Sequence, residues 1–350
     1  MRITEIKINR RRIGGSNPSY IIAEIGSNFD GSLKNAKKMI DAAKKAGADA
    51  AKFQSFKTEK IIEKNGFKKS TTFQNKWKKS VWDVYKNAEL PLEWHKELNE
   101  HCKKVKIDFL STPYYNEAVD VLVELKSPLL KIGSGEITNI DFLDYVGRTK
   151  KPILLATGAS TLKEVKDAVN VLKSTGNNKI ILMQSVTQYP SPIEEANLRV
   201  LQTFQKEFGV NVGYSDHSPG DAVVLASIAL GSVVIEKHFT LNKKLKGPDH
   251  LHSMEPKEFL GMVKKIRELE KALGDGIKKV ENSEKQTRII QRRGIWTTTK
   301  IKKGEGFSRT NIVALRPVHG VSANKMRLIL KKTAKRNLKA NQPIKEHDFG

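Results

Sequence analysis

Eight short, mainly apolar runs recur through the first 240 residues of the chain, and amphipathic stretches with helical period lie between them. The runs are Tyr20–Ile25, Ala50–Phe53, Ile107–Leu110, Leu129–Ile132, Pro152–Ala156, Lys179–Met183, Val210–Tyr214 and Ser232–Glu236. The intervening stretches include Asn35–Ala46, Leu92–Lys104, Asn116–Leu125, Thr161–Ser174 and Ala222–Leu230. Strands that are apolar almost throughout belong to a parallel sheet covered on both faces by helices. Eight β/α alternations predict an α/β fold of the (β/α)8 barrel type. The alternative is a doubly wound open sheet, but no GxGxxG follows the first run, which weakens its dinucleotide-binding version. The insert Thr58–Pro91 is too long for an ordinary βα loop and is expected to form a lid.

The pattern ends near Leu273-Gly274. Residues 1–274 are therefore assigned to the barrel, 275–290 to a charged linker and 291–350 to a small β-rich domain. That last domain carries an internal echo, Ile301–Phe307 against Leu338–Ile344, each a strand–turn–strand signature with Gly304 or Asn341 at the turn.

Nearly every run ends in polar, chemically capable residues: Glu24; Lys52 and Gln54; Ser111 and Thr112; Lys131, Ser134 and Glu136; Thr157; Gln184, Ser185 and Tyr189; Ser215, Asp216 and His217; Glu236, Lys237 and His238. In a closed barrel these ends meet on the face where active sites of this fold lie. Some are explained as helix caps and turns, with Thr138 and Thr161 as examples at helix starts.

The balance of 63 basic against 38 acidic residues, +25, raises the question of nucleic acid. The basic residues are dispersed, mostly as lysines at helix-face spacings such as Lys37, Lys38, Lys44 and Lys45. They read as a solvated surface that attracts small anions, with no nucleic-acid partner. A single cysteine, Cys102, excludes an internal disulfide and a cysteine zinc cluster. No apolar window is long enough for a membrane span, and the N-terminus lacks a signal sequence, so a cytoplasmic protein is expected.

Two histidines, His217 and His238, end consecutive strands, and neighbouring parallel strands set equivalent residues about 5 Å apart. Barrel closure brings Glu24 alongside. Two imidazoles and a carboxylate suit a divalent cation, Mn²⁺ first, with Mg²⁺ or Co²⁺ as alternatives. A lone histidine is more often a satisfied structural group; a pair on adjacent strand ends is not so easily dismissed. Lys52 and Lys131 sit between apolar neighbours, flanked by Ser111, Thr112 and Ser134, with Ser215 across the barrel. Two ammonium groups among hydroxyls make an anion site, most naturally for phosphate. Gly133-Ser134-Gly135 allows close backbone approach. Gln54, Glu136, Tyr189 and Asp249 are the kinds of group that bind vicinal hydroxyls, although Asp249 in Gly-Pro-Asp-His reads equally as a turn.

The ordered motifs Ile22-Ala23-Glu24-Ile25-Gly26, Lys52-Phe53-Gln54, Phe109–Pro113, Lys131–Asn139, Gly213–His217, Glu236–Phe239 and Gly247–His250 resemble those of the sialic acid synthase family, the bacterial N-acetylneuraminate, legionaminate and pseudaminate synthases. The last sixty residues, with Arg316-Pro317, resemble the antifreeze-like (SAF) domain of these enzymes. The resemblance implies condensation of phosphoenolpyruvate with an N-acetylated amino-hexose, N-acetylmannosamine or a diacetamido-dideoxyhexose, with loss of phosphate. It implies phosphoenolpyruvate contacts from Lys52, Thr112, Lys131, Ser134 and Ser215. It implies metal ligation by His217 and His238 and an acidic role for Glu24 near the attacked carbon. It implies sugar contacts from Gln54, Glu136, Tyr189 and Asp249, and from Arg316 across a domain-swapped homodimer. The segment Gln184–Tyr189, Ala156, Phe29 and Val318 depart from the commoner family residues, and the first three bear on the sugar. Two other readings are a related phosphoenolpyruvate-dependent synthase with another aldose acceptor and a non-catalytic sugar- or polyanion-binding protein.

Overall fold

A computed structural model describes residues 5–9, 11–67 and 79–350. The chain divides into two compact units, Met1–Gly274 and Asp275–Gly350.

The first unit opens with an antiparallel hairpin, β1 (Ile6–Ile8) and β2 (Arg11–Ile13). Eight parallel strands follow: β3 (Tyr20–Glu24), β4 (Ala50–Ser55), β5 (Asp108–Pro113), β6 (Leu130–Ile132), β7 (Ile153–Ala156), β8 (Ile180–Ser185), β9 (Asn211–Asp216) and β10 (Ser232–His238). Their order is β5-β4-β3-β10-β9-β8-β7-β6, with β5 and β6 side by side, so the sheet curls into a nearly closed barrel. All eight apolar runs become strands. Several continue further than the runs: β5, β8, β9 and β10 extend through Pro113, Ser185, Asp216 and His238. Thr112, Ser185, Asp216 and His238, expected at the strand ends, are thus held within the strands themselves.

Helices alternate with the strands. In α1 (Leu33–Lys45), Ala36, Met39, Ile40 and Ala43 recur at helical spacing and are buried against the sheet. Helix α7 (Leu162–Ser174) starts from a capping box of Thr161 and Glu164, as expected for Thr161. Helix α6 (Ile140–Arg148) starts after Asn139, so Thr138 is not its cap. The insert after β4 contributes α2 (Thr58–Ile61) and α3 (Val81–Ala88), and α4 (Trp94–Val105) leads into β5. The expected lid partly falls on residues 68–78, outside the described residues. The barrel unit is completed by α5 (Asn116–Glu124), α8 (Val200–Phe208), α9 (Ala222–Ala229) and α10 (Pro256–Leu273).

Strand alternation sorts the side chains. Ile21, Ala23, Ala51, Phe53, Leu130, Ile132, Leu155, Leu182, Tyr214 and Ile235 pack outward beneath the helices. Tyr20, Ile22, Ala50, Leu110, Leu154, Ile181 and Val234 pack inward with Ile6, Ile8 and Ile13 of the hairpin, which closes one end of the barrel. Continuing the inward series along each strand reaches Glu24, Lys52, Thr112, Ser215, Glu236 and His238, and Lys131 between its two outward neighbours. Gly213 takes an inward position where a Cβ would come within 2.4 Å of the Met183 sulfur and 2.6 Å of the Val234 carbonyl.

In the second unit, α11 (Lys285–Gln291) begins within the stretch read as a linker and ends one residue beyond it. β11 (Gly294–Thr297) pairs antiparallel with β12 (Ile312–Leu315), and a short helix α12 (Met326–Ile329) follows. The two echo segments meet through a bridge between Ile301 and Leu338, their first residues. Their last residues, Phe307 and Ile344, share the small core. The turn residues Gly304 and Asn341 adopt φ of 83° and 57°, as a reversal at those points requires. Among the described residues no helix is long and apolar enough to cross a membrane.

Candidate active site

The inward parity of the strands delivers a buried four-charge cluster to the open end of the barrel. The Lys52 ammonium lies 2.7 Å from Oε2 of Glu24 and 3.8 Å from Oε2 of Glu236. It also donates to Thr112 Oγ1 at 2.8 Å. Lys131 donates to Oε1 of Glu236 at 3.1 Å, and the Ser215 hydroxyl donates to the same oxygen at 3.0 Å. Gln54 Nε2 donates to Glu24 Oε1 at 2.7 Å. All four charged residues are almost completely buried. Lys52, Lys131, Thr112 and Ser215 therefore do converge, but around the chain's own carboxylates.

Charges in such a place perturb one another strongly. Burial pushes the Glu24 carboxyl up to about 7; Lys52 opposes this and Glu236 reinforces it. Burial also works against the Glu236 carboxylate, yet Lys131 and Lys52 together hold it down at about 2. Burial lowers the Lys131 ammonium, an effect that Glu236 only partly offsets. The difference between the two carboxyls follows from geometry: Glu236 sits between both lysines, whereas Glu24 contacts only Lys52.

A cluster of imidazoles lies beside these charges. Ligand atoms of His238, Asp249 and His252 all fall within 4.8 Å of one another. His217 flanks the group, its ring 5.4 Å from that of His238. His238 Nδ1 and His252 Nε2 are buried without a hydrogen-bond partner. His217 Nδ1 donates to the Val186 carbonyl at 2.8 Å, which leaves the lone pair of the neutral ring on Nε2. Burial keeps the His217 imidazole neutral, with its pKa lowered to about 4, and lowers His238 and His252 as well. Neutral imidazoles with free lone pairs and a nearby carboxylate fit a divalent cation. Glu24, expected as the carboxylate beside the histidines, is instead engaged by Lys52 and Gln54. Asp249 takes that place.

The loop carrying Asp249 closes on the turn after β3. Asp249 Oδ2 accepts from the Ser27 hydroxyl at 3.0 Å and from the Ser27 amide at 3.3 Å. Gly26, at φ +53°, permits this: a Cβ there would lie 2.8 Å from the same oxygen.

A cavity of about 300 Å³ opens above the cluster. Gln54, Glu136, Tyr189, His238, Asp249 and His252 line it, so the four expected sugar contacts share one space. The Tyr189 ring lies 4.2 Å from the His217 ring and 5.2 Å from that of His252. Glu136 Oε2 accepts from Asn139 at 3.0 Å. The Ser134 hydroxyl accepts the Gly158 amide at 3.0 Å.

Some strand-end residues face away from the cluster. Ser111 has outward parity and meets Ser55 Oγ at 2.5 Å, away from the lysines; Ser55 in turn contacts His95. Asp216 and Lys237 also point outward and pair at 2.5 Å. Arg316 is exposed in the second unit. Two residues with a place in the site have no role assigned from the sequence, although Glu236 is among the strand-end residues named there. Glu236 was recoverable from parity, two residues before His238. His252 lies in a loop with no period to betray it, and its neighbour His250 is structural, bonded to Thr240 at 2.7 Å and Asp30 at 2.9 Å.

Comparison with known proteins agrees with this arrangement. The NeuB family model matches residues 39–278, and the SAF domain model matches residues 292–350. The N,N'-diacetyllegionaminic acid synthase of Campylobacter jejuni is 43% identical over 334 residues, covering 94% of this chain and 99% of that protein. The pseudaminic acid synthase of Helicobacter pylori is 35% identical, covering 95% of this chain and 98% of that protein. The crystal structure of N-acetylneuraminic acid synthetase from Leptospira borgpetersenii, in complex with citrate, superposes with a TM-score of 0.75 at 33% identity, covering 81% of this chain and 95% of that one. With a nearly closed eight-stranded barrel, converging strand-end charges and these matches, the chain belongs to the NeuB family.

Proposed function

We propose that this chain condenses phosphoenolpyruvate with an N-acetylated amino-hexose and water to form a nonulosonic, sialic-type 2-keto acid, releasing phosphate. The observation that carries the reading is the buried lysine–carboxylate cluster lying directly beside a His/Asp/His group at the end of one cavity. One half suits a small, highly charged anion; the other suits a cation and a polyhydroxylated partner.

Lys52 and Lys131, with Thr112, Ser134 and Ser215, hold the phosphate and carboxylate of phosphoenolpyruvate. Gln54, Glu136, Tyr189 and Asp249 orient the open-chain sugar so that its aldehyde faces the enol, converting a bimolecular encounter into a local one. His238, Asp249 and His252, with His217 beside them, would hold a divalent cation, with Mn²⁺ preferred over Mg²⁺ or Co²⁺. Such a cation supplies Lewis-acid polarisation of a carbonyl.

Phosphoenolpyruvate C3 bonds to the aldehyde carbon, and positive charge develops at C2. Glu24 faces that charge, and in its ionised form it accepts a proton from the water that adds to C2. The water oxygen becomes the keto oxygen. The C2–O bond to phosphate then breaks, and the two water protons pass to the new hydroxyl and to phosphate. The lone buried thiol, Cys102, suits a reducing cytoplasmic setting. Arg316 is assigned to the sugar of a partner subunit in a domain-exchanged homodimer.

The test is phosphate release from purified protein with phosphoenolpyruvate, Mn²⁺ and a panel of amino-sugars, with mass spectrometry of the keto acid. Release only with an unrelated aldose would favour a different acceptor class. No release from any aldehyde, alongside salt-dependent polyanion binding, would overturn the enzymatic reading.

A further inference from the structure

A second buried ion pair, which the proposed condensation does not use, lies on the outward face of the strands that carry the histidines. Asp216 and Lys237 are register partners on β9 and β10, and both are 1% exposed. Lys237 Nζ donates to Asp216 Oδ2 at 2.5 Å and to the carbonyl of Ser218. Asp216 Oδ1 accepts from the Ser218 amide at 2.9 Å and from the Ser218 hydroxyl at 2.7 Å. One ammonium thus grips the residues on either side of His217, and its own chain neighbour is His238.

His217 needs such a hold. His238 lies within β10 and is paired in register with Glu24, but β9 ends at Asp216, one residue short of His217. The other partners of His217 come from the segment after β8: the Ser191 amide donates to its carbonyl at 3.0 Å, and its Nδ1 meets the Val186 carbonyl. A buried ion pair is a weak source of stability, because desolvation offsets most of its attraction, and apolar residues of similar volume often replace it without loss. What it supplies is a fixed geometry. Its two charges cancel, so it brings little net charge to the cation group beside it.

We propose that Lys237, through Asp216 and Ser218, is a positioning residue that holds His217 against His238 and so sets the spacing of the imidazoles in the cation group. The assignment rests on the cation site of the condensing reading and adds to it a residue outside the ligand set.

The test is the double variant Asp216→Leu/Lys237→Met, which replaces both side chains by apolar ones of similar volume and removes one charge of each sign. Its urea-unfolding midpoint should stay close to that of the native protein. Its Mn²⁺ binding without substrate, read by electron paramagnetic resonance of free Mn²⁺, should weaken about tenfold. A role in stability alone would leave the affinity unmoved. Lys237→Gln keeps a donor for one of the two acceptors and serves if the double variant folds poorly. Loss of a nearby positive charge would by itself tighten Mn²⁺ binding, so weaker binding in Lys237→Gln reports lost position. Adding either change to His217→Ala should weaken Mn²⁺ binding no further than His217→Ala does alone, because the pair acts through that ring. Native affinity in the folded variants, or a full further loss in the His217→Ala background, would overturn the inference and leave the condensing reading standing. A native protein that binds no Mn²⁺ would overturn the cation site and the inference together.

Discussion

The strand-borne floor of the cavity and its loop-borne wall are held by different forces. Glu24, Lys52, Glu236 and His238 sit on the adjacent parallel strands β3, β4 and β10, and Lys131 on β6, each fixed by the ladder and by apolar neighbours on the opposite face. Asp249, His252 and the residues of α2 and α3 are fixed by side-chain contacts and short helices. The first arrangement tolerates buried charge because no strand can move to relieve it. The second is free to vary in shape without disturbing the barrel. Chemistry common to a reaction class belongs on the floor, and acceptor choice belongs on the wall.

Breaking the floor should cost most. Lys131→Met removes a phosphate-binding cation and leaves Glu236 with only Lys52, 3.8 Å away. The expected loss is about 10²–10³-fold or more in kcat/KM for phosphoenolpyruvate. The uncompensated buried carboxylate should also lower stability by about 3–5 kcal/mol, read by urea unfolding. A variant as active and as stable as the native protein would show that the cluster is not the anion site.

The boundary between floor and wall is the cation site, which draws ligands from both. His238→Ala should weaken Mn²⁺ binding by more than about 100-fold, and His252→Ala by about 10–100-fold, measured by electron paramagnetic resonance of free Mn²⁺ without substrate. Equal losses would erase the distinction. An effect of His217→Ala larger than that of His252→Ala would move the site toward the strand pair.

Glu24 supplies a pH test on the floor itself. Its carboxyl, raised to about 7, is protonated below that pH and ionised above it. If the ionised form guides water to C2, kcat/KM falls as pH drops below about 7, by up to tenfold per unit. Glu24→Gln should flatten that limb. The smallest effect expected is from Arg316→Ala: a rise of about tenfold in the sugar KM, with kcat nearly kept. No change would overturn the proposed role of Arg316.

How much of this could be read in the sequence follows the same division. Runs such as Tyr20–Ile25 and Val210–Tyr214 announce strands because burial on both faces demands apolar residues. Once strands are known, period two places Glu24, Lys52, Lys131 and His238 on one rim. Ser111 neighbours Thr112 in sequence but faces the other side of the sheet, because period two turns adjacent strand residues apart. That Lys52 and Lys131 are paired internally was not legible, since Glu236 lies more than a hundred residues from Lys131 and only the closed barrel brings them together. His252 and Ile62 sit in segments with no period, where position depends on packing alone, and Val84 lies on the short helix α3, whose docking the sequence does not give.

The most direct measurement is anomalous diffraction from crystals soaked with Mn²⁺ and phosphoenolpyruvate. The account predicts a manganese peak bounded by His238 and its imidazole neighbours, with the phosphate density seated on Lys52 and Lys131 in the same cavity. A peak elsewhere, or phosphate density remote from both lysines, would contradict it.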